Sequence, residues 1–240
     1  MYNEYHSLAR HIQELDLGDY LEFGCGDGGF LKYVLDHNDS FNSVTGVDIN
    51  PESVQTARKT LEAFNVDFIV HENLPLNLEN NHFDTITLSN TLHHLKDKPA
   101  VLAELKRLIK STGLIIITEM ISNDLTETEQ VYCDFHTLRA ETDRLNGIHH
   151  ETTFSATSIK KLVDENELQI NKKEILLNDK IIDRDENEIS EMEAIIDVLV
   201  KGEIERPEFE ALASKAQGIK ERLRRFGIKR PRQIYLETTL

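Results

Sequence analysis

Cysteine and tryptophan are scarce in this sequence. Its 240 residues include no tryptophan and two cysteines, Cys25 and Cys133. Because Cys25 lies inside a glycine-rich segment, we expect no structural disulfide and a reducing compartment. No apolar run approaches the roughly 20 residues of a membrane span, and the first residues lack the basic and apolar pattern of a signal peptide. The composition therefore predicts a cytoplasmic protein with no membrane segment.

Positive charge is also in short supply. The chain has 27 Lys and Arg residues against 43 Asp and Glu residues, which gives a formal net charge of −16. An acidic surface of this kind repels a polyphosphate backbone, so nucleic acid is disfavoured as a substrate. Hydrophobic residues make up 39% of the chain. At this length they can bury a full core without disulfides or a structural metal.

Glycine, by contrast, is concentrated in one segment after Glu22. Four glycines fall within six residues there, namely Gly24, Gly26, Gly28 and Gly29. Because glycine tolerates positive φ and has no Cβ, the segment can turn tightly and present bare backbone amides to a polar or anionic group. A second acidic strand end follows at Asp48, where a carboxylate can accept hydrogen bonds from both hydroxyls of a ribose. The two segments together predict a nucleoside-binding crevice.

Two nucleoside cofactors fit this pattern. Gly24, Gly26 and Gly29 have the GxGxxG spacing of NAD-binding folds. Glu22, however, stands two residues before the first glycine, where its carboxylate would face a diphosphate and repel it. S-adenosylmethionine carries ribose and adenine without phosphate, and its methionine part bears an ammonium and a sulfonium. The acid at position 22 therefore favours this cationic cofactor over a dinucleotide.

At this point the chain resembles the class I S-adenosylmethionine-dependent methyltransferases. Their first motif ends a strand with Glu or Asp and continues as GxGxG, which is matched here by Glu22, Gly24, Gly26 and Gly28. The segments ENLPL at 72–76 and HFDTITLSNTLHHL at 82–95 are similar to the adenine loop and the fourth-strand region of that family. Many members bind the adenine amino group with an Asp about four residues before the LP pair, a position that Val70 occupies in this chain.

The resemblance implies how the cofactor is held. Glu22 and the glycine turn would hold the methionine end, Asp48 the ribose and Ile49 the adenine face. Because Val70 cannot bind the adenine amino group, the 71–73 segment would do so. The full set of implied cofactor contacts is Glu22, Gly24, Cys25, Gly26, Gly28, Asp48, Ile49, Glu72, Asn73, Ser89 and Asn90.

Strand and helix patterns alternate as a parallel sheet with crossover helices requires. We expect a Rossmann-like α/β fold with a seven-stranded, mostly parallel sheet flanked by helices, whose last strand is antiparallel and follows a helical insertion. Gly113 is expected to end a helix that includes Ile109. The predicted strands are Tyr20–Phe23, Val44–Asp48, Asp67–Val70, Thr85–Ser89, Leu114–Thr118, Ile170–Leu177 and Gln233–Glu237.

The second half of the chain departs from a minimal domain of this kind. We expect residues 1–180 and 228–240 to form the S-adenosylmethionine-binding methyltransferase domain, and residues 181–227 to form a helical cap or docking subdomain. The connection 120–154 is long for a compact domain, and such connections tend to be binding loops or lids with helical content. We expect the acceptor to be selected there.

Histidines are the candidate catalytic bases. His93 and His94 follow the fourth strand at the edge that would face the methyl donor. Either could act as a general base near neutral pH, or the segment could shape the cofactor pocket, as it does in the related enzymes. The long connection supplies three further candidates, namely His136, His149 and His150.

The same three histidines and Cys133 could in principle bind zinc, since thiolate and imidazole are suitable ligands. Their spacing is not a recognised zinc pattern, and a free cysteine is often a small buried apolar group. We therefore expect no metal.

The leading functional hypothesis is a methyltransferase that acts on a small molecule by in-line displacement, which requires mainly alignment of acceptor, methyl and sulfur. Two alternatives stay open. One is a pseudoenzyme or regulatory module that binds the cofactor without transferring methyl, and the other is an NAD-dependent oxidoreductase. No motif indicates the acceptor or an oligomeric state.

Overall fold

A computed structural model describes residues 2–180, 185–201 and 207–240 of the chain. Within these ranges, seven strands form one sheet in the order β3-β2-β1-β4-β5-β7-β6. The strands are β1 Gly18–Phe23, β2 Phe41–Asp48, β3 Asp67–Val70, β4 Phe83–Ser89, β5 Ile109–Met120, β6 Gln169–Leu176 and β7 Gln233–Thr239. The α-helices are α1 His6–Gln13, α2 Gly29–His37, α3 Pro51–Thr60, α4 Lys98–Leu108, α5 Glu127–Leu145, α6 Ala156–Glu165, α7 Glu186–Val200 and α8 Pro207–Phe226, with short 3₁₀ helices at Tyr2–Glu4 and Leu92–His94.

The sheet has the predicted topology. Strands β1 to β5 pair in parallel, and β7 pairs with β6 in the antiparallel sense. Strand β1 lies between β2 and β4, so the chain order reverses direction across the sheet at this point. In open α/β sheets, ligands bind in the crevice outside the carboxyl ends of the strands at such a reversal. The Rossmann-like fold predicted from the sequence is confirmed.

The start of helix α3, which follows the end of β2, is determined by the local sequence. Asn50 caps it, because its Oδ1 atom accepts hydrogen bonds from the backbone N–H of Glu52 at 2.9 Å and of Ser53 at 3.3 Å. Pro51 occupies the first helical position, where its missing N–H costs nothing. The sequence Asn50-Pro51 therefore sets the start of α3 and the end of the loop that follows Asp48.

The predicted helix end at Gly113 is wrong. Helix α4 ends at Leu108, and Ile109 already pairs with Phe83 in β5. Gly113 lies inside that strand, where a Cβ atom would come within 2.7 Å of the Ile109 side chain and 2.9 Å of the Asp84 carbonyl oxygen. Glycine at this position therefore permits a close approach between strands and does not end a helix.

The chain folds as two compact units. The first comprises residues 1–119, 157–177 and 233–240, and the second comprises residues 120–156 and 178–232. The core of the first unit surrounds the sheet and includes the buried side chains of Tyr5, Leu8, Tyr20, Leu31 and Tyr235.

The core of the second unit is built from three helices. Buried apolar side chains of α5, α7 and α8 pack together there, among them Val131, Leu138, Ile196, Leu212 and Leu223. The helical insertion predicted before the last strand is confirmed, and the connection 120–154 contains the helix α5. Within the described ranges, no helix has the length and apolar character needed to cross a membrane.

Candidate active site

The glycine turn after β1 has one closed side and one open side. Gly24 and Gly26 have positive φ values of 77° and 53°. A Cβ atom on Gly24 would lie 2.4 Å from Cγ2 of Thr91, whereas one on Gly26 would meet nothing within 4 Å. Gly24 therefore packs under the segment that follows β4, and Gly26 exposes bare backbone to open space.

Asp48 holds this turn in place from the end of β2. Its Oδ2 atom accepts a hydrogen bond from the backbone N–H of Gly26 at 2.8 Å, and its Oδ1 atom accepts one from Asn50 at 2.8 Å. Each carboxylate oxygen keeps further acceptor capacity, so the same side chain can also accept hydrogen bonds from a pair of hydroxyls. The next residue, Ile49, is 62% exposed and offers an apolar surface beside it.

Glu22 brings a buried and only partly hydrogen-bonded carboxyl group to the base of the turn. Its side chain is 1% exposed, and its buried Oε2 atom has no hydrogen-bond partner. Burial raises the pKa of Glu22 well above its usual value, and the charges of Asp48 and Asp27 raise it further. A buried polar atom without a partner is costly, so this carboxyl would be stabilised by a cationic ligand.

Cys25 contributes its backbone and not its thiol to this arrangement. The backbone N–H groups of Gly24 and Cys25 both donate to the carbonyl oxygen of Val47, at 2.7 and 3.0 Å. The sulfur lies against β2, 3.2 Å from where a Cβ atom of Gly46 would be. Burial is the main cause that raises the pKa of the Cys25 thiol, which keeps it neutral. The position predicted for Cys25 in the turn is therefore occupied by a small, uncharged packing group.

The residues after β4 form the second wall of the crevice. Ser89 Oγ accepts a hydrogen bond from Thr118 Oγ1 at 2.9 Å, and the Asn90 backbone N–H donates to the Thr118 carbonyl at 2.8 Å. Thr91 Oγ1 lies 3.0 Å from the Ser89 carbonyl oxygen and 3.4 Å from that of Gly24. These contacts tie the ends of β1, β4 and β5 together.

The loop after β3 carries the predicted adenine-edge residues. The His71 backbone N–H donates to the Asp48 carbonyl at 3.1 Å, which places the loop beside the end of β2. Glu72 and Asn73 are exposed there. Helix α4 anchors the far end of the loop, because Glu104 accepts from the Leu76 backbone N–H at 2.7 Å and Arg107 donates to the Leu76 carbonyl at 3.1 Å.

His93 is held by an acid that the sequence analysis did not single out. His93 Nδ1 donates to Oε1 of Glu119 at 2.9 Å, and the backbone N–H of Leu92 donates to Oε2 of the same carboxylate at 3.0 Å. Both side chains are buried, at 3% and 0% exposure, whereas the neighbouring His94 is exposed. The only sequence signal for Glu119 is an acid at the end of an apolar strand. A carboxylate that fixes the orientation and tautomer of an imidazole is typical of catalytic bases.

The remaining histidine candidates lie in the second compact unit. His150 Nδ1 donates to Asp143 Oδ2 at 2.6 Å, and its Nε2 atom lies 3.2 Å from Nε2 of His136. His149 is exposed, and its ring faces Glu151 at 3.4 Å.

Cys133 is buried in the same unit. Its sulfur lies 3.9 Å from Oγ1 of Thr153. Burial raises the pKa of the Cys133 thiol to about 11, so the group is protonated and inert near neutral pH.

Comparison with known proteins relates the first unit to one family. A family model described as a methyltransferase domain matches residues 21–115. The matched segment contains Glu22, the glycine turn, Asp48 and the 3₁₀ helix with His93, and it ends before Glu119.

Two relatives match a similar region. Ajmaline N-methyltransferase of Rauvolfia serpentina is 31% identical over 114 residues, which are 46% of this chain and 38% of the relative. Phthiotriol/phenolphthiotriol dimycocerosates methyltransferase 1 of Mycobacterium ulcerans (strain Agy99) is 31% identical over 130 residues, which are 53% of this chain and 46% of the relative. The chain thus spans less than half the length of either relative.

Solved structures extend the likeness to the fold of the whole chain. The crystal structure of an S-adenosylmethionine dependent methyltransferase from Mesorhizobium loti aligns with a TM-score of 0.58 at 15% identity, covering 99% of this chain and 98% of that chain. Identity at this level supports a shared fold and does not indicate a shared reaction.

Proposed function

We propose, from the match of residues 21–115 to a family model described as a methyltransferase domain, that this protein transfers a methyl group from S-adenosylmethionine to a small-molecule acceptor. The observation that carries the proposal is the buried carboxyl of Glu22 beside the open backbone of Gly26. The cofactor has a cationic methionine end that would neutralise this carboxyl. A pyrophosphate cofactor would add negative charge to a site where Glu22, Asp27 and Asp48 already act on one another.

The residues at the crevice fit the parts of the cofactor. Glu22 would hold the ammonium group, Asp48 the two ribose hydroxyls and Ile49 one face of the adenine. Glu72 and Asn73 are exposed at the end of β3, where they can hydrogen-bond to the adenine edge. The walls formed by the backbone of the glycine turn and by Ser89 and Asn90 complete the cofactor site.

When bound, the cofactor supplies a methyl carbon made electrophilic by the adjacent sulfonium. The protein must align the acceptor and remove a proton where the acceptor is a hydroxyl or a protonated amine. We assign proton removal to His93, whose Nδ1 atom is held by Glu119, so that Nε2 is the basic atom. His94 is less suited because its side chain is exposed to solvent, whereas that of His93 is buried.

The acceptor class is inferred from charge and from the relatives. The relative from Rauvolfia serpentina is named for methylation of nitrogen in ajmaline, and the one from Mycobacterium ulcerans for methylation of phthiotriol derivatives. A chain with a net charge of −16 suits small organic acceptors better than nucleic acid. Two free cysteines support a cytoplasmic location.

The two parts of the chain are proposed to have different roles. Residues 1–180 and 228–240 would supply the methyltransferase domain, and residues 181–227, which include α7 and α8, a cap or docking element. His136, His149 and His150 are proposed as further candidates for acceptor contact because they lie in the long connection after β5.

Calorimetry on the purified full chain tests the cofactor assignment. We expect S-adenosylmethionine and its demethylated product to bind, and NAD not to bind. Failure of both adenosyl compounds to bind would refute the proposal, and binding of NAD in their place would identify an oxidoreductase. Transfer of a labelled methyl group to a panel of amines and hydroxyl compounds tests the reaction. Cofactor binding without turnover across the panel would indicate a regulatory module.

A further inference from the structure

The second unit contains a buried pair of imidazoles created by a turn at the end of α5. His136 lies on this helix, and its side chain is 6% exposed. After the helix, Gly147 has a positive φ of 80°, and the Ile148 backbone N–H donates back to the Asp143 carbonyl at 2.9 Å. The chain therefore reverses direction and brings His150, which is 2% exposed, onto the helix beside His136.

The distance between the two rings suits a shared metal ion. The two Nε2 atoms are 3.2 Å apart. Ligand nitrogens about 2.0–2.1 Å from one zinc ion are separated by about 2.9 Å when they subtend a right angle and by about 3.4 Å when they subtend a tetrahedral angle. The observed separation lies inside this range.

The mutual orientation of the two rings also fits a shared metal ion. The ring centroids are 4.8 Å apart, and the ring planes make an angle of 84°. If the two nitrogens were joined by a linear hydrogen bond of 3.2 Å, both ring centroids would lie on the line through the nitrogens. The centroids would then be about 5.5 Å apart. Two rings whose nitrogens converge on one metal ion would have centroids about 5 Å apart. The observed separation of 4.8 Å is closer to the value for converging nitrogens than to that for a linear hydrogen bond.

A carboxylate stands behind one of the two imidazoles. Asp143 Oδ2 accepts from His150 Nδ1 at 2.6 Å, and the Arg144 guanidinium donates to the His150 carbonyl at 2.7 Å. Metal-bound histidines commonly donate their second ring N–H to a carboxylate, which fixes the tautomer and makes the ligating nitrogen more basic. Asp143 thus directs the lone pair of His150 Nε2 toward His136.

We propose that His136 and His150 bind a divalent transition metal of the zinc class through their Nε2 atoms, with Asp143 as the positioning residue. Imidazole suits zinc, nickel, copper and cobalt. Two of the four positions of a tetrahedral ion would then be filled by the histidines, and the other two by water or by a small ligand. Within the described residues of the second unit, two other candidate ligands are less suited, because His149 faces Glu151 and Cys133 has a thiol that stays protonated near neutral pH.

The test is metal binding by the full chain without a histidine tag, first stripped with a chelator. Zinc titration calorimetry should give one site per chain, and Co²⁺ as a spectroscopic substitute should give visible absorption bands of a nitrogen-ligated ion. His136→Ala and His150→Ala should each abolish the site. Asp143→Asn should weaken binding by about 10–100-fold, since the ligands remain and only their support is lost.

His149→Ala is the matched control, because it removes the adjacent imidazole without touching the pair, and it should bind zinc as the unchanged protein does. Circular dichroism of each variant separates loss of the site from loss of the fold. The titration of the unchanged protein is independent of any variant. Failure of that protein to bind zinc or cobalt would show that the pair is only hydrogen-bonded. Zinc binding by His136→Ala and His150→Ala that is as strong as in the unchanged protein would show the same. These readouts do not require methyl transfer, so they stand whatever the outcome for the proposed function.

Discussion

The imidazole of His93 is fixed by the carboxylate of Glu119, with 2.9 Å between Nδ1 and Oε1. The second oxygen of this carboxylate accepts from the Leu92 backbone N–H, so the acid is held from two sides. His93 follows β4 and Glu119 lies near the end of β5, so two adjacent strands place the pair at the carboxyl edge of the sheet. This geometry gives the carboxyl edge of the sheet a buried base with a defined orientation.

His93→Ala should lower kcat for a hydroxyl or amine acceptor by about 10²–10⁴-fold, the usual contribution of a general base. Glu119→Gln should lower kcat while the dissociation constant of the cofactor stays the same, because the imidazole is retained but no longer oriented. His94→Ala is the control with an exposed ring. Steady-state kinetics together with calorimetry would decide, and unchanged kcat in His93→Ala would refute the assignment.

Glu22→Gln should stabilise the protein while weakening cofactor binding. The unfolded chain pays no penalty for an ionised Glu22, whereas the folded protein buries this carboxyl without a partner for Oε2. Removing the charge should raise the free energy of unfolding by about 1–2 kcal/mol without ligand, a shift in Tm of roughly 2–8 °C at this chain length. Affinity for S-adenosylmethionine should fall about 10–100-fold.

Thermal unfolding and calorimetry measure the two effects of Glu22→Gln separately. Asp27→Asn, at an exposed acid in the same turn, serves as the comparison and should change both quantities less than Glu22→Gln, because the Asp27 charge is a smaller cause of the raised Glu22 pKa than burial or Asp48. If Glu22→Gln is less stable than the original protein without ligand, the buried Oε2 atom of Glu22 is not a destabilising group and the prediction is wrong.

Stability and binding should also respond to pH through Glu22. Because the folded pKa of Glu22 is raised, the folded protein keeps this proton over a pH range in which the unfolded chain has lost it. The contribution of Glu22 to stability is therefore greatest below the unfolded pKa and is lost as the pH rises toward the folded pKa. Denaturant unfolding at several pH values should show this loss in the original protein and a flatter profile in Glu22→Gln.

Cofactor affinity should change in the opposite direction with pH. A cationic ligand binds the ionised carboxyl, so affinity should rise from about pH 5 to about pH 7, below the range in which an α-amino group itself loses its proton. Calorimetry in buffers of different ionisation enthalpy would detect the proton released by Glu22 on binding. Affinity that stays constant over this range would argue against Glu22 as the partner of the ammonium group.

Two glycines of the turn should respond differently to alanine. In Gly26→Ala the new methyl group meets open space and costs only the left-handed backbone, about 1–2 kcal/mol. The protein should fold but bind the cofactor at least about tenfold more weakly, because the methyl group covers the exposed backbone. In Gly24→Ala the methyl group collides with Thr91, and unfolding should become easier by about 2–5 kcal/mol. If Gly26→Ala and Gly24→Ala lose the same stability and the same affinity, Gly26 does not face open space as described.

Much of the fold could be predicted because it follows from local signals. Asp67–Val70 was predicted with its exact bounds, and α3 begins at Pro51 as its capping sequence indicates. The start of β5 was missed because Ile109 continues the helical spacing of apolar residues in α4. Pairing with Phe83 decides its structure, and a partner 26 residues away is not visible to a local pattern.

The site divides in the same way. The sequence predicted three residues of the site, namely Glu22, Gly26 and Asp48, because a glycine-rich turn is recognisable from a few consecutive residues. Glu119 could not, because its meaning depends on His93, which reaches it only after β4 and β5 have paired. The contact between His136 and His150 likewise depends on a chain reversal after α5. The spacing of apolar residues along the sequence does not predict this reversal.

The unpartnered oxygen of Glu22 has a consequence for the protein inside a cell. A ligand that compensates this carboxyl stabilises the folded state in proportion to its own concentration. Copies without such a ligand would therefore unfold and be degraded sooner than loaded ones. The abundance of the protein should then follow the cellular concentration of that ligand even if its synthesis is constant.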